Sequence, residues 1–209
     1  MKAEIKLGFA PTRRAIFSAP AAVEYRKLTA DRLRELGINF VDIDDVNEEG
    51  LLYDDAGLEK IIAKFQAEKV DGLFIPHANF GTEYECARLA KALNVPVLLW
   101  GPRDERPDER GMRLRDSQCG LFATGKVLRR FRVPFTYMNN CNLTDPIFER
   151  ASGTSWRSAT WCAPSGIPGF CKSGLVPSIS GPPCATRASC WKSSTSSWLR
   201  SRCPSFTRK

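Results

Sequence analysis

The chain has 209 residues, a formal net charge of +8 and a hydrophobic fraction of 43%, which is ordinary for a globular protein. This length suits one domain of medium size, or one domain and a further segment. The charge excess is confined to one end. Residues 1–150 carry 23 basic and 23 acidic side chains, whereas residues 151–209 contain eight basic residues and no Asp or Glu. The balanced charge of the first part gives no reason to expect nucleic acid as a partner.

Strands and helices alternate along residues 1–150. In chain order we predict strands at 5–10, 40–43, 71–76, 95–100 and 133–137, separated by helices at 21–36, around 58–65, after Thr82 and near 118–131. Such alternation is typical of an α/β fold with a mostly parallel sheet and right-handed crossovers. The predicted fold is an open parallel sheet with helices on both faces, a flavodoxin-like three-layer architecture, followed by an irregular tail.

Two helix ends have recognisable signals. Gly37 follows the first helix and suits a left-handed residue just past its C-terminus. Thr82, with Glu85 three residues later, predicts a capping box at the start of the third helix. For the inner side of the first helix we expect the following large side chains: Tyr25, Leu28, Leu33 and Leu36.

Polar side chains follow the predicted strands at their carboxyl ends, where ligands of open α/β sheets usually bind. Arg13 and Arg14 follow the first strand, and a guanidinium there can hold hydroxyl or phosphate groups through paired donors. His77 and Asn79 follow the third strand, and Phe80 offers an apolar wall. We take these residues as substrate-binding candidates, although they fit a solvated loop and a helix entrance equally well.

Several other kinds of site are disfavoured. The chain has no GxGxxG after its first strand, no GxxxxGK[ST] and no CxxC, which argues against a dinucleotide cradle, a P-loop and a structural zinc site. A nucleophilic pairing of His77 with Cys86 or Cys119 is disfavoured because both cysteines fall in predicted helices. The run Arg103–Glu105 suits either a charged gate or an ordinary solvated loop. We assign no catalytic and no metal-binding residue.

Residues 1–6 lack the apolar region of a secretory signal, and no apolar run is long enough to span a membrane. A disulfide framework would need a secreted context. We therefore expect a cytoplasmic protein with no membrane partner.

Residues 151–209 differ in composition from the rest. Gly, Pro and Ser recur every few residues, which disfavours helices and core strands. The segment nevertheless holds five of the eight cysteines and four of the five tryptophans, unlike ordinary disordered chain. Rereading it one nucleotide displaced, with free choice of synonymous codons, permits a sequence with acidic residues and a helix–strand–helix pattern. We predict a domain at 1–150 and an out-of-frame tail at 151–209; the alternative is a genuine basic extension that binds anionic partners.

Four segments resemble the L-fucose isomerase and L-arabinose isomerase family in order and spacing: Leu7–Arg14, Phe74–Glu83, Pro96–Glu105 and Asp116–Leu121. The resemblance is to the family's N-terminal domain and covers nearly all of residues 1–150. It implies an enzyme of carbohydrate metabolism that interconverts aldoses and ketoses at a divalent cation, usually Mn²⁺. The metal polarises the sugar oxygens while acidic side chains move protons.

For this chain the resemblance implies less. The family's Glu, Asp and His metal ligands come from its middle and C-terminal domains, so we expect no Mn²⁺ ligand and no activity in this truncated chain. The N-terminal domain contributes contacts of a homo-oligomer and, in some members, loops that reach a neighbouring subunit's sugar pocket. The residues that match those loops by position are Arg13, Arg14, His77, Ala78 and Asn79, and Ala78 stands where one branch has an aromatic ring. The expected ligand is a small-molecule sugar; the alternative is a non-catalytic module that binds a sugar or sugar phosphate.

Overall fold

The computed structural model describes residues 5–150, and the predicted tail at 151–209 lies outside them. Five strands and five helices alternate in the order β1 (Leu7–Phe9), α1 (Ala19–Glu35), β2 (Phe40–Val41), α2 (Asp55–Ala67), β3 (Gly72–Pro76), α3 (Glu83–Leu93), β4 (Val97–Trp100), α4 (Ser117–Arg130), β5 (Phe135–Tyr137) and α5 (Pro146–Arg150). In the described part of the chain, no helix is long and apolar enough to cross a membrane.

The five strands form one parallel sheet in the order β2-β1-β3-β4-β5. This is the strand order of a flavodoxin-like sheet, whose order reverses between β1 and β3. The predicted fold class is therefore confirmed.

Helices cover both faces of the sheet, because alternate strand residues point to opposite sides. On one face Leu73 and Leu99 pack in a buried cluster with side chains of α2, α3 and α4. On the other face Phe74 and Leu98 join a second cluster with side chains of α1 and α5. All residues of β3 and β4 are buried, as expected for central strands covered on both sides.

The first helix differs from its prediction in one respect. Its buried residues are Ala22, Thr29, Ala30 and Leu33, whereas Leu28 is 45% exposed, so the prediction that Leu28 lies on the inner side was wrong. Leu33 is fully buried, as predicted, and Tyr25 and Leu36 are partly buried against the core clusters, so small residues fill the rest of the inner face. The predicted stop at Gly37 is confirmed: its φ is +64°, and Ile38 N donates to Leu33 O at 3.0 Å.

The start of α3 is built differently from a capping box. Thr82 occupies the N-cap position, as predicted, but its side chain makes no capping hydrogen bond. Its hydroxyl lies 3.1 Å from Thr12 Oγ1, and its backbone N–H donates to the same oxygen at 3.0 Å. The predicted capping box with Glu85 was therefore wrong, because Thr12, on the neighbouring strand's loop, takes the place of the helix's own partner.

Candidate functional site

The crevice between the ends of β1 and β3 is filled by the chain itself. Thr12 extends the pairing past the end of β1: its N–H donates to Pro76 O at 2.9 Å, and its carbonyl accepts from Ala78 N at 2.9 Å. The Thr12 hydroxyl donates to Leu52 O at 2.8 Å. Ligands of this sheet class usually enter at this reversal point. Here the backbones of the two loops are joined across it.

A glycine makes this closure tight. Gly81 has a φ of +90°, a conformation that side-chain-bearing residues rarely adopt. A Cβ at this position would lie 2.6 Å from Thr12 Cγ2 and 2.8 Å from His77 Cδ2. The loop after β3 therefore packs directly on the loop after β1, with no room between them for an added methyl group.

His77 is buried beneath this closure, with an exposed fraction of 0%. Its Nε2 lies 2.8 Å from Thr124 Oγ1, and its Nδ1 has no hydrogen-bond partner. Burial lowers the pKa of His77 to about 4, so the ring is neutral at physiological pH. In this conformation the imidazole contacts α4 and not the surface where a substrate would arrive.

Ala78 and Asn79 are also buried. Ala78 packs in a small cluster with Ala22 and Leu51. The amide of Asn79 holds the loop after β1, because its Oδ1 accepts from Arg14 N at 2.8 Å and its Nδ2 donates to Arg14 O and Ser18 O at 3.2 Å. Its carbonyl accepts from the Asp116 N–H at 3.0 Å. Asn79 thus connects three loops of the carboxyl edge.

The two predicted arginines are each paired with an acid and an aromatic ring. Arg13 binds Glu49 through two donors, and its guanidinium lies 4.0 Å from the centre of the Tyr53 ring. Arg14 forms an ion pair with Glu83, and its guanidinium lies 4.7 Å from the centre of the Phe80 ring.

The pairing decides what these arginines offer to a ligand. Phe80 also stacks on Phe17, with ring centroids 5.3 Å apart. The Arg14 side chain retains 32% exposure and that of Arg13 12%. An anion at Arg14 would therefore meet a guanidinium whose charge is already balanced by Glu83.

Residues 101–116, here called the strap, connect β4 to α4 along the same edge. The predicted gate, Arg103–Glu105, lies at its start. Glu105 binds Arg115, whose Nε donates to it at 2.9 Å and whose Nη2 donates to Arg103 O at 3.1 Å. The Arg115 side chain is 3% exposed and lies 3.7 Å from the centre of the Tyr25 ring. Sequence reasoning missed Arg115, because nothing in the charged run distinguishes a buried arginine from its exposed neighbours.

The most exposed apolar side chains of this edge lie on the strap and beside it. Ile16 is 79% exposed, Met112 68% and Leu114 54%. The Ser18 N–H donates to Leu114 O at 3.1 Å, which places the Ile16 loop against the end of the strap. We call Ile16, Met112 and Leu114 the apolar tip.

The described part of the chain offers neither a cluster of metal ligands nor a reactive thiol. No three His, Cys, Asp or Glu residues of that part converge to hold a metal ion, so the residues present do not fit the Mn²⁺ of the isomerase resemblance. Cys86 is buried, and burial raises the pKa of its thiol to about 12. Cys119 is exposed, and the pKa of its thiol is raised by a hydrogen bond to Asp116. Neither cysteine forms a reactive thiolate at neutral pH.

Solved structures offer partial likenesses at low sequence identity. The glycosyltransferase SnogD from Streptomyces nogalater is 12% identical over 66% of this chain, with a TM-score of 0.30. An ABC transporter solute binding protein from Bacillus halodurans C-125, solved with bound myo-inositol, is 9% identical over 74% of this chain, with a TM-score of 0.32. The chain spans 46% and 61% of the lengths of these two proteins. No curated protein matches it in sequence.

The family comparison covers most of the chain. Residues 8–152 match the model of the fucose/sulfoquinovose isomerase N-terminal domain, and this range contains all the strands and helices described above except Leu7, the first residue of β1. The match confirms the resemblance to fucose isomerases, and the chain belongs to the fucose/sulfoquinovose isomerase family through this N-terminal domain.

Proposed function

We propose that this chain serves as the N-terminal domain of an aldose–ketose isomerase, and that it acts through its loops on a neighbouring copy and that copy's sugar pocket. The observation that carries the proposal is the closed crevice between β1 and β3. Thr12 joins the loops after β1 and β3 at the usual ligand position of this sheet class, which favours a binding surface on the outer side of these loops. The outer surface of this edge presents Arg14, Phe80 and the apolar tip.

Contact with a second copy fits the character of the apolar tip. Exposed apolar side chains rimmed by charged ones are typical of protein–protein surfaces. The strap residues around Met112 carry both signs of charge, with Arg110 and Arg113 close to Asp108 and Glu109. A surface of mixed sign can pair with a copy of itself, because acids on one protomer meet arginines on the other.

Self-association of the full chain tests this role. Sedimentation across a range of concentrations is expected to show an oligomer that a Met112→Ser, Leu114→Ser double variant weakens at least tenfold. Phe122→Ser is the matched control, since Phe122 is 61% exposed but lies on α4, outside the apolar tip. A chain that is monomeric at every concentration, or one that loses association equally in the control, would refute the docking role.

Isomerase chemistry is proposed for the complete enzyme and not for this chain alone. The acids and the Mn²⁺ site that the reaction needs are assigned to the other domains of the family's enzymes. The expected result is no conversion of fucose or arabinose by the purified 209-residue chain with Mn²⁺ supplied. Measurable, metal-dependent conversion would overturn this assignment.

The alternative, a non-catalytic module for a sugar or sugar phosphate, predicts a different result. Calorimetry with sugars and sugar phosphates in the absence of metal is expected to show no binding, because Arg13 and Arg14 already bind Glu49 and Glu83. Tight binding without metal, lost on Arg14→Lys, would favour the module and count against the docking domain.

The tail at 151–209 is proposed to be an out-of-frame product. Resequencing the gene across the codons for Arg150 and Ala151, and several hundred bases beyond, is the direct check. A base whose restoration opens a long frame with Glu, Asp and His ligands would support the proposal. A confirmed sequence, with the tail present in the expressed protein, would contradict it.

A further inference from the structure

The strap is fixed at its two ends and free along its middle. At its start, Asn140 Nδ2 donates to the carbonyl oxygens of Gly101 and Pro102, both at 2.8 Å. At its end, the Asp116 N–H donates to Asn79 O at 3.0 Å. Residues 106–113 are exposed, and the hydrogen bonds of their backbone, within the described residues, stay inside the turn from Asp108 to Met112.

One side-chain cluster joins the two arms of the strap. Arg115, on the returning arm, donates to Glu105 and to the carbonyl of Arg103, both on the outgoing arm. The face of the same guanidinium lies on the Tyr25 ring of α1, at 3.7 Å. Hydrogen bonds with both partners charged are stronger than neutral ones, and a flat guanidinium can make them while it stacks on a ring.

The cluster is buried on the arginine side only. The Arg115 side chain is 3% exposed, whereas that of Glu105 is 36% exposed. Arg115 Nη1 has no hydrogen-bond partner. Tyr25 in turn packs against the buried cluster of Ala22, Leu51 and Ala78. The cation therefore lies between the strap and the apolar surface beneath it, and the acid that balances it is within reach of water.

We propose that the Arg115–Glu105 pair on the Tyr25 ring is a latch that holds the strap against α1, and that the strap opens as one unit, hinged at Gly101–Pro102 and Asp116, when the pair separates. Opening uncovers the Tyr25 ring and breaks the hydrogen bond from the Ser18 N–H, at the start of α1, to Leu114 O. The latch does not depend on the proposed docking role, because it concerns contacts within one protomer.

Limited proteolysis of the full chain by thermolysin tests the latch. Thermolysin cuts before large apolar residues. A cut at Leu114, whose carbonyl accepts from the Ser18 N–H at 3.1 Å, requires the returning arm to leave the surface, so the cutting rate there follows the open fraction. Glu105→Gln and Arg115→Lys are each expected to raise the cutting rate at Leu114 about tenfold, the loss typical of one charge-assisted hydrogen-bond pair at a half-exposed site. The free energy of global unfolding is expected to fall by the equivalent of the same tenfold factor, because the pair is lost in the open chain and in the unfolded chain alike. The latch is recognised instead by a cutting rate at Leu114 that depends only weakly on low urea concentrations, since opening the strap exposes little surface.

Matched variants separate a latch from a general stabiliser. Glu59→Gln removes one acid from Arg88 on the α2–α3 surface, and is expected to leave the cutting rate unchanged. Tyr25→Phe keeps the ring and should behave as wild type, whereas Tyr25→Leu should speed cutting as Arg115→Lys does. Unchanged cutting in Glu105→Gln and Arg115→Lys would overturn the proposal. A cutting rate at Leu114 that rises with urea as steeply as global unfolding would overturn it too, because the strap would then be cut only in the unfolded chain.

Discussion

At Gly120, α4 packs directly against the backbone of the loop after β3. A Cβ at Gly120 would lie 1.7 Å from Phe80 O and 2.6 Å from Phe80 C, which are backbone atoms that cannot rotate away. At Gly125, further along the same helix, an added methyl group would meet a side chain and not the backbone. The added Cβ would lie 2.0 Å from the Tyr137 hydroxyl oxygen, at the end of a side chain on a residue that is 42% exposed.

We therefore expect the two Gly→Ala substitutions to differ in their effect on the free energy of unfolding. Alanine favours a helix over glycine by about 1 kcal/mol, and this gain is available at both positions. At Gly120 the loop carrying Phe80 must shift, and forcing a methyl group into a packed site typically costs 1–3 kcal/mol or more. We expect Gly120→Ala to lower the free energy of unfolding by about 2 kcal/mol, and Gly125→Ala to leave it within about 1 kcal/mol of wild type.

Thermal and urea unfolding followed by far-UV circular dichroism measure the difference. For a chain of this size, about 2 kcal/mol corresponds to a fall in Tm of roughly 4–8 °C. Gly125→Ala is the internal control for helix propensity. Equal stability of the two variants would refute the claim that α4 packs on the Phe80 backbone without room for a methyl group.

Two further predictions concern the closed crevice. His77 is the only histidine, and burial lowers its pKa to about 4, whereas in the unfolded chain the imidazole binds a proton near pH 6.5. The free energy of unfolding should therefore fall by about 2 kcal/mol from pH 7 to pH 5, and His77→Gln should remove this pH dependence in urea titrations. The same pH dependence in the variant would count against His77 as its source. Thr12→Val leaves Leu52 O and the Thr82 N–H without their side-chain partner, and it should lower the free energy of unfolding measured in urea by about 2 kcal/mol. Thr12→Ser keeps the hydroxyl and should lower it by less than half as much. Equal losses of stability in the two variants would contradict a role for the hydroxyl.

The strands of the sheet could be predicted from the sequence because each has a recognisable pattern of apolar residues within a short segment. The continuous apolar runs at β3 and β4 indicate strands buried on both faces, and the structure confirms this. The short helix α5 has no such signal. It holds five residues, and its Phe148 is buried through contact with Trp100, at a centroid distance of 4.9 Å. A contact between residues so distant in sequence cannot be read from periodicity.

The candidate site shows where sequence reasoning stops. The sequence locates Arg13 and Arg14 at a strand end, but their acidic partners lie 36 and 69 residues away along the chain. Whether an arginine at a loop is free for a ligand depends on such partners and not on its neighbours. Arg115 is the clearest case, because its burial follows from the ring of Tyr25 and not from the charged run around it. The roles of His77, Ala78 and Asn79 in binding a sugar stay predictions.

The position of β1 in the sheet has a consequence for how the chain folds during synthesis. Although β1 is made before β3, it lies inside the sheet, between β2 and β3, and Leu7 is opposite Gly72. Its main partner therefore does not exist until β3 has left the ribosome. At a translation rate of roughly 5–20 residues per second, several seconds pass before the apolar residues of β1 and α1 can pack against β3. During that interval these apolar side chains are exposed, and a translation pause before β3 would lengthen the time in which they can aggregate.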